Sequence, residues 1–200
     1  NFDNISMDKY NVLVLVSGNY KFSDSQIQKL KTWAENGNTI ISIGSGSKFL
    51  IDKNIVDESL LEKEESDEIN YLAYGDAREN IGKEQIGGVI LNSMIDLTHP
   101  LAFGYENNTV PLYKNNSIWL KPTKNSYSSV VRYTDDSLID GFLSENNKSK
   151  IKESVSLVVS KVGKGIAVMF ADNPNFRGAW YGTNRLFLNA IFLGDRIYIP

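Results

Sequence analysis

Apolar and polar positions follow two styles along this chain, and the change of style divides it. Val12 to Val16 is continuously apolar and stops at Ser17-Gly18-Asn19, the pattern of a strand covered on both faces and closed by turn residues. Ser23, with Gln26 three positions on, predicts a capping box, and Phe22 is placed to staple onto Ile27. Ile27, Leu30 and Ala34 line one helical face until Gly37 stops it. Thr39 to Ile43 is a second buried strand, and Gly44-Ser45-Gly46-Ser47 leads from it into a short helix around Phe49 to Ile51. A βαβα succession of this kind predicts a parallel sheet.

Beyond it the pattern loosens. Asp57 to Glu68 is acidic, and residues 57–87 read as a solvated, loop-rich excursion whose acidic spacing is not that of a calcium-binding EF-hand loop. Ile86 to Ile95 resumes a strand-like pattern. From Thr109 the style changes to short strands separated by turn residues: Val110 to Tyr113, Ile118 to Leu120 and Ser129 to Tyr133, which predict antiparallel additions at the sheet edge. Ser154 to Lys161 and Ile166 to Ala171 flank Val162-Gly163-Lys164-Gly165 and predict a hairpin. Leu186, Phe187, Ala190, Ile191 and Leu193 cover a wide helical arc, so the last helix is expected to be well buried before Gly194 ends it.

Composition narrows the function classes more than it identifies one. With 200 residues, 42% hydrophobic and 22% charged, the chain matches one globular domain. No apolar run reaches the roughly 18 residues of a spanning helix, and the polar N-terminus has no signal-like apolar core. A net charge of -3 and the lack of a Lys/Arg-rich stripe argue against nucleic acid as a partner. Zero cysteines exclude disulfides, thiolate metal sites and a thiolate nucleophile.

Three places carry candidate chemistry. The turn Gly44-Ser45-Gly46-Ser47 lies at a strand end, where open parallel sheets gather ligands, so it is a candidate binding turn with Ser45 or Ser47 as a candidate nucleophile. Its order is not the Gly-x-Ser-x-Gly of a hydrolase elbow, and its glycines are needed anyway for a tight connection. His99 is the single histidine, a candidate base for either serine, but its position before Pro100 also suits it to cap a short turn. One histidine without cysteine is a poor zinc set, so no metal or cofactor is expected. The third place follows the strand Ile166 to Ala171: Asn173-Pro174-Asn175, then Arg177 and Trp180, an aromatic and cationic cluster that either packs the last helix or recognises a small molecule or glycan.

The Asn173-Pro174-Asn175 turn occupies the slot in which class I glutamine amidotransferases keep His-Pro-Glu, and the Gly44–Ser47 turn that of their cysteine elbow. The segments DKYNVLVLVSGNY, GNTIISIGSG, IDLTHPLAFGY and ADNPNFRGAWYGTNRLFLNAIFLG resemble the amidotransferase-like domain that follows the catalytic domain in a group of bacterial M14-type zinc carboxypeptidases. The resemblance spans nearly the whole chain. It implies a three-layer αβα, flavodoxin-like fold, with a mostly parallel sheet, antiparallel edge strands and a C-terminal hairpin plus helix. It also implies a secreted or periplasmic parent enzyme whose upstream peptidase domain would be the partner of this one. Carried over position by position, Gly46 or a neighbouring serine lies where the cysteine would be, Asn173 where the His would be and Asn175 where the Glu would be. All three catalytic roles read as vacant.

One departure concerns the start. Domains of this type open with a strand and helix ahead of the strand at Val12, and Asn1 to Lys9, with no initiator Met, is too short to supply them. Either the sequence begins inside the domain or the sheet is completed differently, and an unpaired edge of that kind invites association. The expectation is a single non-catalytic accessory domain, for packing, positioning or ligand binding. Its rivals are a serine hydrolase using Ser45 or Ser47 with His99, and a small-molecule or glycan-binding module.

Overall fold

In a computed structural model of the chain, residues 2–61 and 71–200 are described; positions 62–70 of the acidic excursion lie outside the described residues. In chain order the elements are β1 (Val12–Leu15), α1 (Asp24–Glu35), β2 (Thr39–Ile43), α2 (Ser45–Asp52), α3 (Ala77–Glu84), β3 (Val89–Ile95), β4 (Thr109–Lys114), β5 (Ser129–Asp140), α4 (Glu145–Lys152), β6 (Val155–Val162), β7 (Gly165–Phe170) and α5 (Tyr181–Leu193). The seven strands form one sheet in the order β1-β2-β7-β6-β5-β3-β4. No helix among the described residues is long and apolar enough to cross a membrane.

The sheet is mixed rather than mostly parallel. Only β1/β2 and β2/β7 run parallel, whereas β7/β6, β6/β5, β5/β3 and β3/β4 are antiparallel. The reason lies in the connections: a parallel neighbour requires a crossover, and α1 supplies one between β1 and β2. The later strands turn back on their predecessors, most tightly at Gly163-Lys164, where β6 folds onto β7 with Val162 opposite Gly165.

Alternation along the central strands builds two cores. On one face Ile40, Ala167 and Met169 pack with Leu30, Trp33 and Ala34 of α1 and Phe49 and Leu50 of α2. On the other, Ile41, Ile43, Val168 and Phe170 pack with Leu186 and Ala190 of α5. Every residue of β2 and β7 is buried, which is why both read as unbroken apolar runs. Each such Leu, Ile or Phe contributes about 1.5–3 kcal/mol by leaving water.

Local signals account for the helix starts. Ser23 Oγ accepts from Gln26 N at 3.3 Å while Gln26 Oε1 accepts from Ser23 N at 3.0 Å, closing the capping box on α1. Two segments depart from the sequence reading. Ile118–Leu120 adds no strand; Leu120 makes isolated bridges to Leu60 and Val155, because residues 115–120 fold over the end of β7 instead of extending the sheet. The excursion is not all loop, since it contains α3, whose residues are all at least partly exposed and which Asn147 Nδ2 anchors by donating to Glu84 O.

Candidate functional site

β1, β2 and β7 are parallel, so their C-terminal ends open on one crevice, the usual ligand position of an open α/β sheet. At the end of β2, Gly44 turns the chain sharply into α2 with φ 55° and ψ -117°, its N–H donating to Phe170 O at 2.8 Å. This is the sharp strand-to-helix turn on which a nucleophile elbow is built. The residue in that conformation is Gly44, not Gly46 or a serine as the sequence alignment of roles suggested. A Cβ at Gly44 would stand 2.4 Å from Ser17 Oγ, so the elbow offers backbone and no side chain. Gly46 serves packing: a Cβ there would fall 2.4 Å from Leu15 O, at the closest approach of α2 to β1.

Both serines of the turn are engaged in holding it. Ser45 Oγ accepts from Gly18 N at 2.9 Å and donates to Gly18 O at 3.1 Å, tying the loops after β1 and β2 together. Ser47 is fully buried, donating to Phe170 O at 2.9 Å and lying 2.9 Å from Ser42 Oγ. His99 is far from either. It follows β3, which is separated from β2 by β7, β6 and β5 in the sheet order. β3 also runs opposite to β2, so His99 sits at the other end of the sheet. There its Nδ1 accepts from Leu101 N at 3.1 Å and caps the 3-10 turn Pro100–Ala102, and burial holds its pKa below the usual 6.5 although Asp96 pulls it upward. The geometry removes the serine–histidine pair.

The turn after β7 is likewise occupied by structure. Asn173 Oδ1 accepts from Asn175 N at 2.9 Å, and Asn175 Oδ1 accepts from Asn184 Nδ2 at 2.7 Å, fastening the turn to α5. Thr183 Oγ1 adds a bond to Pro174 O at 2.8 Å. Phe176 stacks on Tyr113 with ring centroids 3.7 Å apart, and Trp180 Nε1 donates to Pro111 O at 3.1 Å, so these rings lash the start of α5 to β4. Arg177 is exposed with φ 52°, its guanidinium 5.3 Å from the Phe176 ring.

The chemistry that sequence reasoning missed lies directly beneath. Asp172, two residues beyond β7, is buried and accepts three donors: its Oδ1 takes Lys114 Nζ at 3.0 Å, and its Oδ2 takes Tyr133 Oη at 2.5 Å and Ser156 Oγ at 2.8 Å. That is one cation and two hydroxyls on one carboxylate. Lys114 is wholly buried at the end of β4, which runs in the same direction as β7 and so finishes at the same end of the sheet. Its remaining donors reach Ile118 O at 2.9 Å and Asn116 Oδ1 at 3.3 Å, and its ammonium stands 4.3 Å from the Trp119 ring centroid. Burial pushes the Lys114 pKa down from 10.5, with Asp172 opposing, and burial followed by the Asp172 charge holds Tyr133 well above 10. The cluster is a paired clamp: none of its buried side-chain nitrogens or oxygens lacks a hydrogen-bond partner. Two signals existed: Lys114 continues the inward alternation Val110, Leu112, and Asp172 extends an apolar run without a break. Among the described residues, no group of three or more His, Asp or Glu side chains converges as a metal site would require.

No protein-family model matches the chain, and no curated protein matches it. Solved structures do. A ThuA-like protein from Parabacteroides merdae is similar over 96% of this chain and 72% of its own, with TM-score 0.60 at 13% identity. PurLQS from Thermotoga maritima is similar over 93% of this chain and 81% of its own, with TM-score 0.53 at 13% identity. A β-galactosidase from Bacillus circulans sp. alkalophilus is similar over 96% of this chain but only 23% of its own, with TM-score 0.52 at 10% identity. The neighbours include glutamine amidotransferase-like and ThuA-like proteins, and at identities this low the likeness shows the fold alone, that of the class I amidotransferases.

Proposed function

We propose that this chain is a non-catalytic, amidotransferase-like accessory domain that packs against and positions the catalytic part of a larger enzyme. One observation carries the reading: the residue in the elbow conformation is Gly44, which has no side chain to act as a nucleophile. The supporting pattern is that Asn173 and Asn175, in the slots of the base and its orienting acid, are spent on turn and helix bonds. A neutral amide cannot relay a proton near neutral pH. The β-galactosidase relative supports the accessory role, since this fold there makes up less than a quarter of an enzyme chain.

In the finer form of the proposal the larger enzyme is a secreted or periplasmic zinc carboxypeptidase-like protein, with its peptidase domain upstream and in contact with this one. That form rests on the sequence resemblance alone. The test has two arms. The purified chain is expected to release no ammonia from glutamine and to resist a fluorophosphonate probe; turnover or labelling that disappears in Ser45→Ala overturns the non-catalytic reading. In the full-length polypeptide, chelator-sensitive removal of C-terminal residues from peptides is expected, and its absence removes the carboxypeptidase context while leaving the first reading intact.

A further inference from the structure

A small cavity lies between the buried clamp and the last helix, on the α5 face of the sheet. Its apolar walls come from β4, β5, β6, β7 and α5, and its polar wall from Ser156, Asp172, Asn173 and Thr183. Ser156 and Thr183 are 5% and 4% exposed, too deep to turn their hydroxyls to bulk solvent.

The protons of that wall are already committed. Ser156 Oγ donates to Asp172 Oδ2 at 2.8 Å, and Thr183 Oγ1 donates to Pro174 O at 2.8 Å. A hydroxyl has one proton and two lone pairs, so both residues have only acceptor capacity left for the cavity. Asn173 complements them: its Oδ1 is fixed by Asn175 N at 2.9 Å, which leaves the Nδ2 amino group as a donor. The wall therefore suits a guest that donates two hydrogens and accepts one.

Size and charge narrow the guest further. The cavity measures about 10 Å³, at the bottom of the roughly 10–15 Å³ that a single water needs and too small for a second heavy atom. Lys114 Nζ stands 3.0 Å from Asp172 Oδ1 and already balances the carboxylate, so a bound cation would bring an unmatched charge into a buried place. We propose that this cavity binds one internal water, which donates to Ser156 Oγ and Thr183 Oγ1 and accepts from Asn173 Nδ2. The side chains on Asp172 come from β4, β5 and β6, and none comes from a helix. Through Ser156 the water extends the clamp to Thr183 of α5, the residue that also holds the turn after β7.

A crystal structure of the whole chain and oxygen-17 relaxation dispersion in solution test this together. The wild type is expected to show one density peak in the cavity, within hydrogen-bond distance of Ser156 Oγ and Thr183 Oγ1. Thr183→Val keeps the shape of the side chain and removes its lone pairs, and it is expected to lower the number of long-lived waters by one. Thr183→Ser returns the oxygen and is expected to return the water. An empty cavity in the wild type overturns the proposal, as does a peak whose oxygen ligands lie at the roughly 2.0–2.6 Å of a bound metal cation. Equal water counts for the wild type and Thr183→Val overturn it as well. If Thr183→Val does not fold, the wild-type density decides alone.

Discussion

Replacing Lys114 by methionine separates two accounts of the buried cluster. Methionine keeps the stem volume and removes the ammonium, which is fully buried and shares three acceptors. Two of them, Asn116 Oδ1 and Ile118 O, sit at partly buried positions and can turn to water. Asp172 Oδ1 cannot, and removing one partner of a buried pair costs about 3–5 kcal/mol because the other charge is stranded. In a chain of this size, ~2–4 °C per kcal/mol makes that a loss of about 6–20 °C in Tm. Adding Asp172→Asn removes the stranded charge while keeping an acceptor for Tyr133 and Ser156. The double variant is therefore expected to be more stable than Lys114→Met alone, with a coupling of about 2–3 kcal/mol. Urea unfolding monitored by tryptophan fluorescence reads both, since Trp119 lies over the ammonium. A single variant costing less than ~1 kcal/mol, or a double variant equal to the sum of the singles, refutes the clamp.

Gly44→Ala is expected to destabilise the fold by about 1–3 kcal/mol, from a positive φ and a Cβ 2.4 Å from Ser17 Oγ; adding Ser17→Gly should recover the steric part only, and an unchanged urea midpoint for Gly44→Ala contradicts the account. His99 accepts a hydrogen bond through Nδ1 and burial depresses its pKa, so the unfolded chain takes up the proton first. Stability is therefore expected to fall as pH drops from 6.5 to the folded pKa and to level off below it, with His99→Asn flattening that step. The lone histidine gives a single ring-proton NMR titration, and a midpoint at or above 6.5 rules this out.

What could be read from the sequence was local. β2 and the capping box of α1 stand where the apolar run and the Ser23–Gln26 pair put them, because a strand buried on both faces and a paired cap each leave a contiguous mark. Strand order left no such mark. β2 lies beside β7, whose sequence is equally apolar on both sides and names no neighbour, so the reading defaulted to a parallel sheet where antiparallel pairs dominate. α3 and α4 present almost nothing to the core, α4 burying only Asn147 and Ile151, and a helix without an apolar stripe has no period to detect. The candidate site was legible at its two strand-end turns, Gly44–Ser47 after β2 and Asn173–Asn175 after β7. Its buried part was not, since Lys114 and Asp172 are 58 residues apart and only the fold makes them a pair.

The place of β7 also fixes the order in which the protein can be completed. Ile41 and Val168, 127 positions apart by subtraction, are register partners, so β2 has no second neighbour until β7 has been made. At about 5–20 residues per second of synthesis, the fully apolar β2 waits about 6–25 s with one open side after it emerges. Any N-terminal fragment that stops short of Gly165 keeps it open permanently. The strand that seals the interior arrives last, and contacts of such long range make this a slow-folding topology for its size.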